Sequence, residues 1–361
     1  MSPDRSQRVR RARRQQARRL HRLVELMRKG RSLLVMTHDN PDPDSIASAL
    51  VLQKLARERA GIRADIGYGG IVGRGENRSM LKSLSIELRK KSDIDFSDYD
   101  LFALVDTQPH TGNNSLPSHI RPDIVIDHHP LRKPTRSVRF HDVRRHYGAT
   151  TTALTEYLFA SRLKLDPALA TALFYGIKSE TQSLGREASA ADKAVYTKLF
   201  LHMDAERLWR IEHSPLSPKY FAMMADAIHG TRVHGDVAIA CLGEIAVPDM
   251  VAEFADLLMR LEHVAWAFCF GLFHGDLYLS LRTSDRAAEA GEIIQEIVGS
   301  EGKAGGHGMI AGGKIQRDRF AVSGCEKLQD LLRARLLGIL RKADLKGTPL
   351  IELEPRSPAA V

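Results

Sequence analysis

Three short apolar runs in the first half of the chain each end in residues that bind metals. Leu33-Leu34-Val35-Met36 leads into Thr37-His38-Asp39-Asn40-Pro41-Asp42-Pro43-Asp44. Leu101–Val105 leads into Asp106-Thr107, and Ile124-Val125-Ile126 leads into Asp127-His128-His129. Continuous apolar runs of this length predict strands covered on both faces, hence a parallel sheet. Between them the spacing changes to that of helices. A helix over 45–59 is stopped by Gly61, a strand covers 64–68, and a second helix follows the glycine-rich turn at Gly69, Gly70, Gly73 and Gly75. Helices are predicted near 148–160, 167–178, 191–203 and 204–212. In open sheets of this kind, ligands gather beyond the carboxyl ends of the strands. Three strand ends carrying Asp and His therefore point to one shared crevice.

Ser214-Pro215-Leu216-Ser217-Pro218 breaks the pattern. A linker helix over 219–228 and a turn at 230–235 then lead into a second α/β domain. Its predicted elements are a strand over 237–242, a hairpin of 266–273 and 277–282 across His274-Gly275-Asp276, and a helix over 286–298. A glycine-rich stretch over 305–313 and a final helix over 326–341 complete it. The organisation expected is a basic arm (1–19), a first domain (20–213), a linker (214–235), a second domain (236–345) and a tail (346–361).

Hydrophobic content of 43% and charged content of 27% in 361 residues fit a soluble globular protein. No apolar run approaches the roughly 20 residues of a membrane span, so a cytoplasmic protein without membrane contact is expected. Cys241, Cys269 and Cys325 are far apart and form no CxxC, which predicts buried thiols. Charge is uneven. Residues 1–31 carry a net of +10 against +9 for the whole chain, leaving about −1 for the rest. A basic arm of this kind suits contact with RNA or another polyanion.

His38 with Asp42-x-Asp44, then Asp106, then Asp127-His128-His129, looks like the DHH phosphoesterase superfamily. The distal Gly305-Gly306-His307, with Ala311-Gly312 nearby, resembles its accompanying DHHA1 domain. Together they are similar to the small branch of oligoribonucleases and 3′-phosphoadenosine-5′-phosphate phosphatases. The resemblance implies an α/β fold, with a parallel-sheet DHH domain, a smaller α/β DHHA1 domain and the active site in the cleft between them. It implies two divalent cations, one held by His38, Asp42 and Asp106, the other by Asp44, Asp106, His128 and Glu180. Mixed imidazole and carboxylate ligands suit Mn²⁺, with Mg²⁺, Co²⁺ or Fe²⁺ as alternatives. His129 would help to offset phosphoryl charge, and Asp127 would orient an imidazole. Arg282, Gly305, Gly306 and His307 would bind substrate, namely short RNA or DNA oligonucleotides or nucleoside phosphates.

Three departures stand out. Glu180 occupies a position where the family usually has Asp, Pro43 replaces a frequent Gly, and Ile310 opens the usual Ala-Ala-Gly. Asn40-Pro41-Asp42 with Ser45 also resembles family II inorganic pyrophosphatases. Pyrophosphatase activity and a non-catalytic nucleotide or RNA sensor are therefore the alternatives to an oligonucleotide phosphoesterase.

Overall fold

The computed structural model describes residues 3–319 and 325–351. Its contacts divide the chain into two units, Met1–Ser214 and Pro215–Val361.

The first unit opens with the long helix α1 (Pro3–Met27), which runs into β1 (Ser32–Met36). It continues through α2 (Pro43–Leu55), β2 (Arg63–Tyr68), α3 (Gly75–Ser83), β3 (Arg89–Lys90), β4 (Leu101–Val105), β5 (Ile124–Asp127) and β6 (Phe140–Val143). Helices α4 (Thr150–Ser161), α5 (Pro167–Glu180), α6 (Ala190–Phe200) and α7 (Ala205–Glu212) complete it. The six strands are parallel, in the order β3-β2-β1-β4-β5-β6. The chain builds outward from β1 to β3, then returns to lay β4 against the other side of β1. The carboxyl ends of β1 and β4 thus flank the point where strand order reverses, the usual ligand position in such sheets. Every residue of β1 and β5 is buried.

Local chemistry fixes how the chain leaves β1. Asp42 caps α2 by accepting from the Ser45 N–H at 2.9 Å, while the Ser45 hydroxyl accepts from the Asp42 N–H, and Pro43 occupies the first helical turn. The metal-ligand loop is therefore tied to a helix start. Gly176 of α5 lets α2 approach closely. A Cβ there would lie 2.8 Å from Thr151 Oγ1 and 3.1 Å from the Pro43 carbonyl oxygen.

The second unit contains α8 (Pro218–Gly230), β7 (Arg232–His234), β8 (Val237–Glu244), α9 (Met250–Leu258), β9 (Trp266–Phe273) and β10 (Asp276–Thr283). It ends with α10 (Ala290–Val298), β11 (Gly302–His307), β12 (Ile310–Ile315), α11 (Cys325–Ile339) and β13 (Thr348–Pro349). Its mixed sheet has the order β11-β12-β10-β9-β8-β7-β13, antiparallel except where β8 pairs with β9.

Several expectations need correction. The helix expected over 45–59 ends as an α-helix at Leu55 and widens into one π turn, Ala56–Ala60, before Gly61 turns left-handed. The glycine-rich stretch is a hairpin, with Gly305 paired to Gly312 and Gly306 to Ala311. Glycine there lets α10 pack onto the strand, since a Cβ on Gly291 would come within 2.4 Å of the Gly306 carbonyl oxygen. Thr348–Pro349, expected within a loose tail, pairs with β7. Cys269 is a buried free thiol, but Cys241 is disulfide-bonded, which sequence spacing alone did not reveal. No described helix is long and apolar enough to cross a membrane.

Candidate metal centre

Four connections converge at the carboxyl ends of β1, β4 and β5. His38 follows β1, Asp106 follows β4, and His128 and His129 follow β5, while Asp42 and Asp44 stand at the start of α2. Glu180 is the last residue of α5.

The two imidazoles nearest Asp106 are oriented alike. His38 Nδ1–H donates to the Asp39 carbonyl at 2.9 Å, and His128 Nδ1–H donates to the Tyr147 carbonyl at 3.1 Å. Each ring therefore turns its Nε2 into the cluster. His38 Nε2 lies 3.5 Å from both Asp42 Oδ1 and Asp106 Oδ2, and His128 Nε2 lies 3.5 Å from Asp106 Oδ1. His128 Nε2 is buried without a hydrogen-bond partner. A ring nitrogen so placed, with its tautomer set by a backbone acceptor, suits a metal. Ligand atoms of His38, Asp42 and Asp106 lie within 4.8 Å of one another, as do those of Asp106, His128 and His129. Asp106 belongs to both groups.

Asp106 is strained as well as central. Its φ is +56°, the left-handed region that a side-chain-bearing residue enters at a cost of about 1–2 kcal/mol. Its N–H donates to the Ile126 carbonyl at 3.0 Å, and Oδ1 accepts from the Thr150 hydroxyl at 2.8 Å.

Asp44 is wholly buried, and its oxygens accept from the Thr150 and Thr151 N–H groups at 2.8 Å each, at the start of α4. This use accounts for only part of its capacity, because a carboxylate offers about four lone-pair positions. Burial, then repulsion from Asp106, Asp42 and Glu180, pushes the Asp44 carboxyl well above its ordinary value. Burial and Asp42 raise Glu180 likewise, against the opposing pull of His128 and Arg186. Burial disfavours the charged forms of His38 and Asp42, but their mutual attraction overcomes it, raising the histidine and lowering the aspartate. So much negative charge facing one pocket is the condition that bound cations relieve. The residues present fit a divalent metal.

Asp127 sits behind the cluster. Its Oδ1 accepts from His129 Nδ1 at 2.8 Å and from the His128 N–H at 2.8 Å. Its Oδ2 accepts from Gln108 Nε2 at 2.6 Å. Burial alone would raise the Asp127 carboxyl, but the hydrogen bond from His129 brings it well below the usual range. Gln108 is itself buried, and its Oε1 accepts from the Arg132 N–H and the Thr135 hydroxyl, each at 2.8 Å.

Gln108, Thr150, Tyr147 and Arg186 were not singled out from sequence. Arg186 Nη2 donates to the Glu180 carbonyl at 2.6 Å and lies 3.5 Å from its carboxylate. Only the Thr-rich opening of α4 gave a signal, and it read equally well as a plain helix start. Asn113 and Asn114 are bound within their own loop, to the Thr107 and Thr111 hydroxyls.

In the second unit, Gly305 and Gly306 lie on the edge strand β11, and a Cβ on Gly305 would meet nothing within 4 Å. The side chain of His307 lies outside the described residues. Arg282 is engaged already: Nε donates to Asp256 at 2.7 Å and Nη1 to the Ser280 hydroxyl at 2.8 Å. These bonds hold the guanidinium in place on β10.

A parallel sheet with imidazoles and carboxylates gathered at its order reversal defines an α/β protein with a candidate cation centre. Residues 32–177 match the DHH family, N-terminal domain, and residues 234–336 match the DHHA1 domain, so the chain belongs to the DHH superfamily. Members of that family are metal-dependent phosphohydrolases. An uncharacterised protein of Methanocaldococcus jannaschii is 38% identical over 315 residues, covering 85% of this chain. The chain spans 64% of that relative's length. Among solved structures, an exopolyphosphatase-related protein from Bacteroides fragilis shares the fold with a TM-score of 0.69 at 14% identity, over 89% of this chain and 96% of that one. RecJ from Thermus thermophilus, solved with Mn²⁺, gives 0.52 at 16% identity, over 90% of this chain and 54% of that one.

Proposed function

We propose that this chain is a two-cation phosphoesterase acting on short oligonucleotides or nucleoside phosphates. The observation that carries the reading is the partnerless, buried His128 Nε2 facing a carboxylate, Asp106, that also faces His38. In this reading His38, Asp42 and Asp106 hold one cation, and Asp44, Asp106, His128 and Glu180 hold the other. The mixed donor set favours Mn²⁺. Bound cations supply positive charge to phosphoryl oxygens and lower the pKa of the attacking water.

The chain's own groups do the rest. The Thr150 hydroxyl fixes the rotation of the Asp106 carboxylate, and Gln108 holds Asp127, which in turn holds His129 through Nδ1–H. Asp127, Asp106 and the hydrogen bond to Asp127 favour a charged His129 despite its burial. In this reading the imidazole so held would help to offset charge on a phosphoryl oxygen. Arg186 adds a fixed positive charge beside Glu180. Gly305, Gly306, His307 and Arg282 are assigned to substrate capture on the strength of the family resemblance.

Purified protein assayed with Mn²⁺ against a dinucleotide, 3′-phosphoadenosine 5′-phosphate and pyrophosphate tests this directly. Release of mononucleotide or phosphate from either of the first two is expected. Turnover of pyrophosphate alone would replace the reading with a pyrophosphatase, and binding without turnover would replace it with a sensor.

A further inference from the structure

Helix α1 does two different things along its length. Its C-terminal end is built into the first unit: Leu23 and Met27 are fully buried, and Val24 and Leu26 nearly so. Midway, Gln16 Oε1 accepts from Arg144 at 2.9 Å, and Arg19 lies 3.3 Å from Asp142. Asp142 and Arg144 are buried, and they are braced by the Tyr157 hydroxyl and by Glu156. That brace reaches the candidate centre through backbone. The Arg144 N–H donates to the Asp127 carbonyl at 2.9 Å, the Tyr147 N–H donates to the Arg144 carbonyl at 2.8 Å, and the Tyr147 carbonyl accepts from the His128 ring.

The opposite face of α1 is basic. Arg14, Arg18 and Arg22 are exposed at i, i+4 and i+8, about 6 Å apart along the axis. The helix continues through a stretch containing Arg5, Arg8, Arg10, Arg11 and Arg13 against a single acid, Asp4. We propose that α1 is a docking strip for the phosphate backbone of single-stranded nucleic acid whose end enters the candidate metal centre. This rests on the phosphoesterase reading and names a longer substrate for it.

Charge complementarity selects the occupant. A row of guanidinium groups neutralises successive phosphates. A membrane surface is the poorer match, because interfacial helices need an exposed apolar face. The large apolar residues of α1 are turned into the core, and its first seventeen positions offer little beyond Val9, Ala12 and Ala17. A single strand fits better than a duplex end, since the groups of the centre are buried or half-buried.

The test compares the full chain with a variant carrying Arg10→Gln, Arg11→Gln, Arg14→Gln and Arg18→Gln. Glutamine keeps nearly the same helix propensity. Arg22 is left alone because it stacks over Phe140. Fluorescence anisotropy with a phosphorothioate RNA strand of about 12 nucleotides, from about 50 to 200 mM salt, measures affinity and its salt slope. The variant should bind about 10–100-fold more weakly at low salt, with a slope shallower by about 3, at roughly 0.7 per lost contact. Dinucleotide turnover should stay within about twofold. Unchanged affinity and slope would overturn the proposal, as would tighter binding of the wild type to anionic vesicles than to RNA. If the wild type hydrolyses no phosphoester yet binds RNA through these arginines, the docking strip stands and the enzymatic reading falls. If hydrolysis is normal and RNA binding ignores the arginines, the reverse holds.

Discussion

Replacing Gln108 separates a positioning role from a structural one. Its four hydrogen bonds run in two directions: Nε2 donates to Asp127 and to the Pro130 carbonyl, and Oε1 accepts from Arg132 N–H and Thr135 Oγ1. Gln108→Leu removes all of them in a buried site. The bond to the Asp127 carboxylate is worth about 1.5–3 kcal/mol, and each neutral group left unpaired adds about 1–3 kcal/mol. Summed over Asp127, Pro130, Arg132 and Thr135, the loss of folding stability is at least about 4.5 kcal/mol, a large share of the roughly 5–15 kcal/mol a domain commands. Gln108→Glu keeps both accepted bonds but sets a carboxylate against Asp127 where a donor stood. It should therefore disturb His129 just as much, and the buried like charges add a stability cost of their own. If Asp127 transmits its 1.5–3 kcal/mol to the barrier, kcat falls about 10–100-fold in both variants, at about 1.4 kcal/mol per decade. KM should barely move, because neither residue is assigned to substrate capture. Denaturant unfolding with metal-saturated steady-state kinetics measures both quantities. A folded Gln108→Glu protein with wild-type kcat would refute the reasoning, and so would a change confined to KM.

Other consequences follow from the same geometry. Thr150→Val removes the hydroxyl that fixes Asp106 and should weaken Mn²⁺ binding about 10–100-fold, measured by calorimetric titration; unaltered affinity would show that Asp106 needs no such support. Burial would raise the Asp142 carboxyl, but Arg144, Tyr157 and Arg19 lower it below its ordinary 3.8. Its stabilising effect is thus complete above pH about 4 and fades as pH falls through the lowered value. Asp142→Asn should cost about 3 kcal/mol at pH 7, and the gap from wild type in urea unfolding should narrow below pH 4. A pH-independent gap would contradict this. Glu180→Asp shortens the side chain by about one C–C bond, roughly 1.5 Å. If Glu180 is a ligand, this substitution should change the ratio of Mn²⁺- to Mg²⁺-supported activity, and an unchanged ratio would remove Glu180 from the ligand set.

The sequence revealed what depends on short-range pattern. β1, β4 and β5 are unbroken apolar runs, and the groups that follow them meet because parallel strands align their carboxyl ends. β6 (Phe140–Val143) was missed because Phe-His-Asp-Val has no apolar run, its Asp142 being buried by pairing with Arg144 rather than by hydrophobicity. The sequence predicts no strand over β11 and β12 because glycine carries little strand preference; they are held as strands by pairing and by α10 packed behind them. The supports of the centre were invisible for another reason. Thr150 meets Asp106 across 44 residues, and Gln108 meets Asp127 across 19. Neither residue type advertises such a role. The paired state of Cys241 was hidden similarly, since widely spaced cysteines come together only through the fold.

The central claim is that one carboxylate, Asp106, is shared between two bound cations. Equilibrium dialysis of the wild type and Asp106→Ala against Mn²⁺, with metal counted per folded chain, tests it most directly. Two ions per wild-type chain are expected, with tight binding lost at both positions in the variant. A wild type that takes up no Mn²⁺, or a variant that retains both ions, would contradict the account.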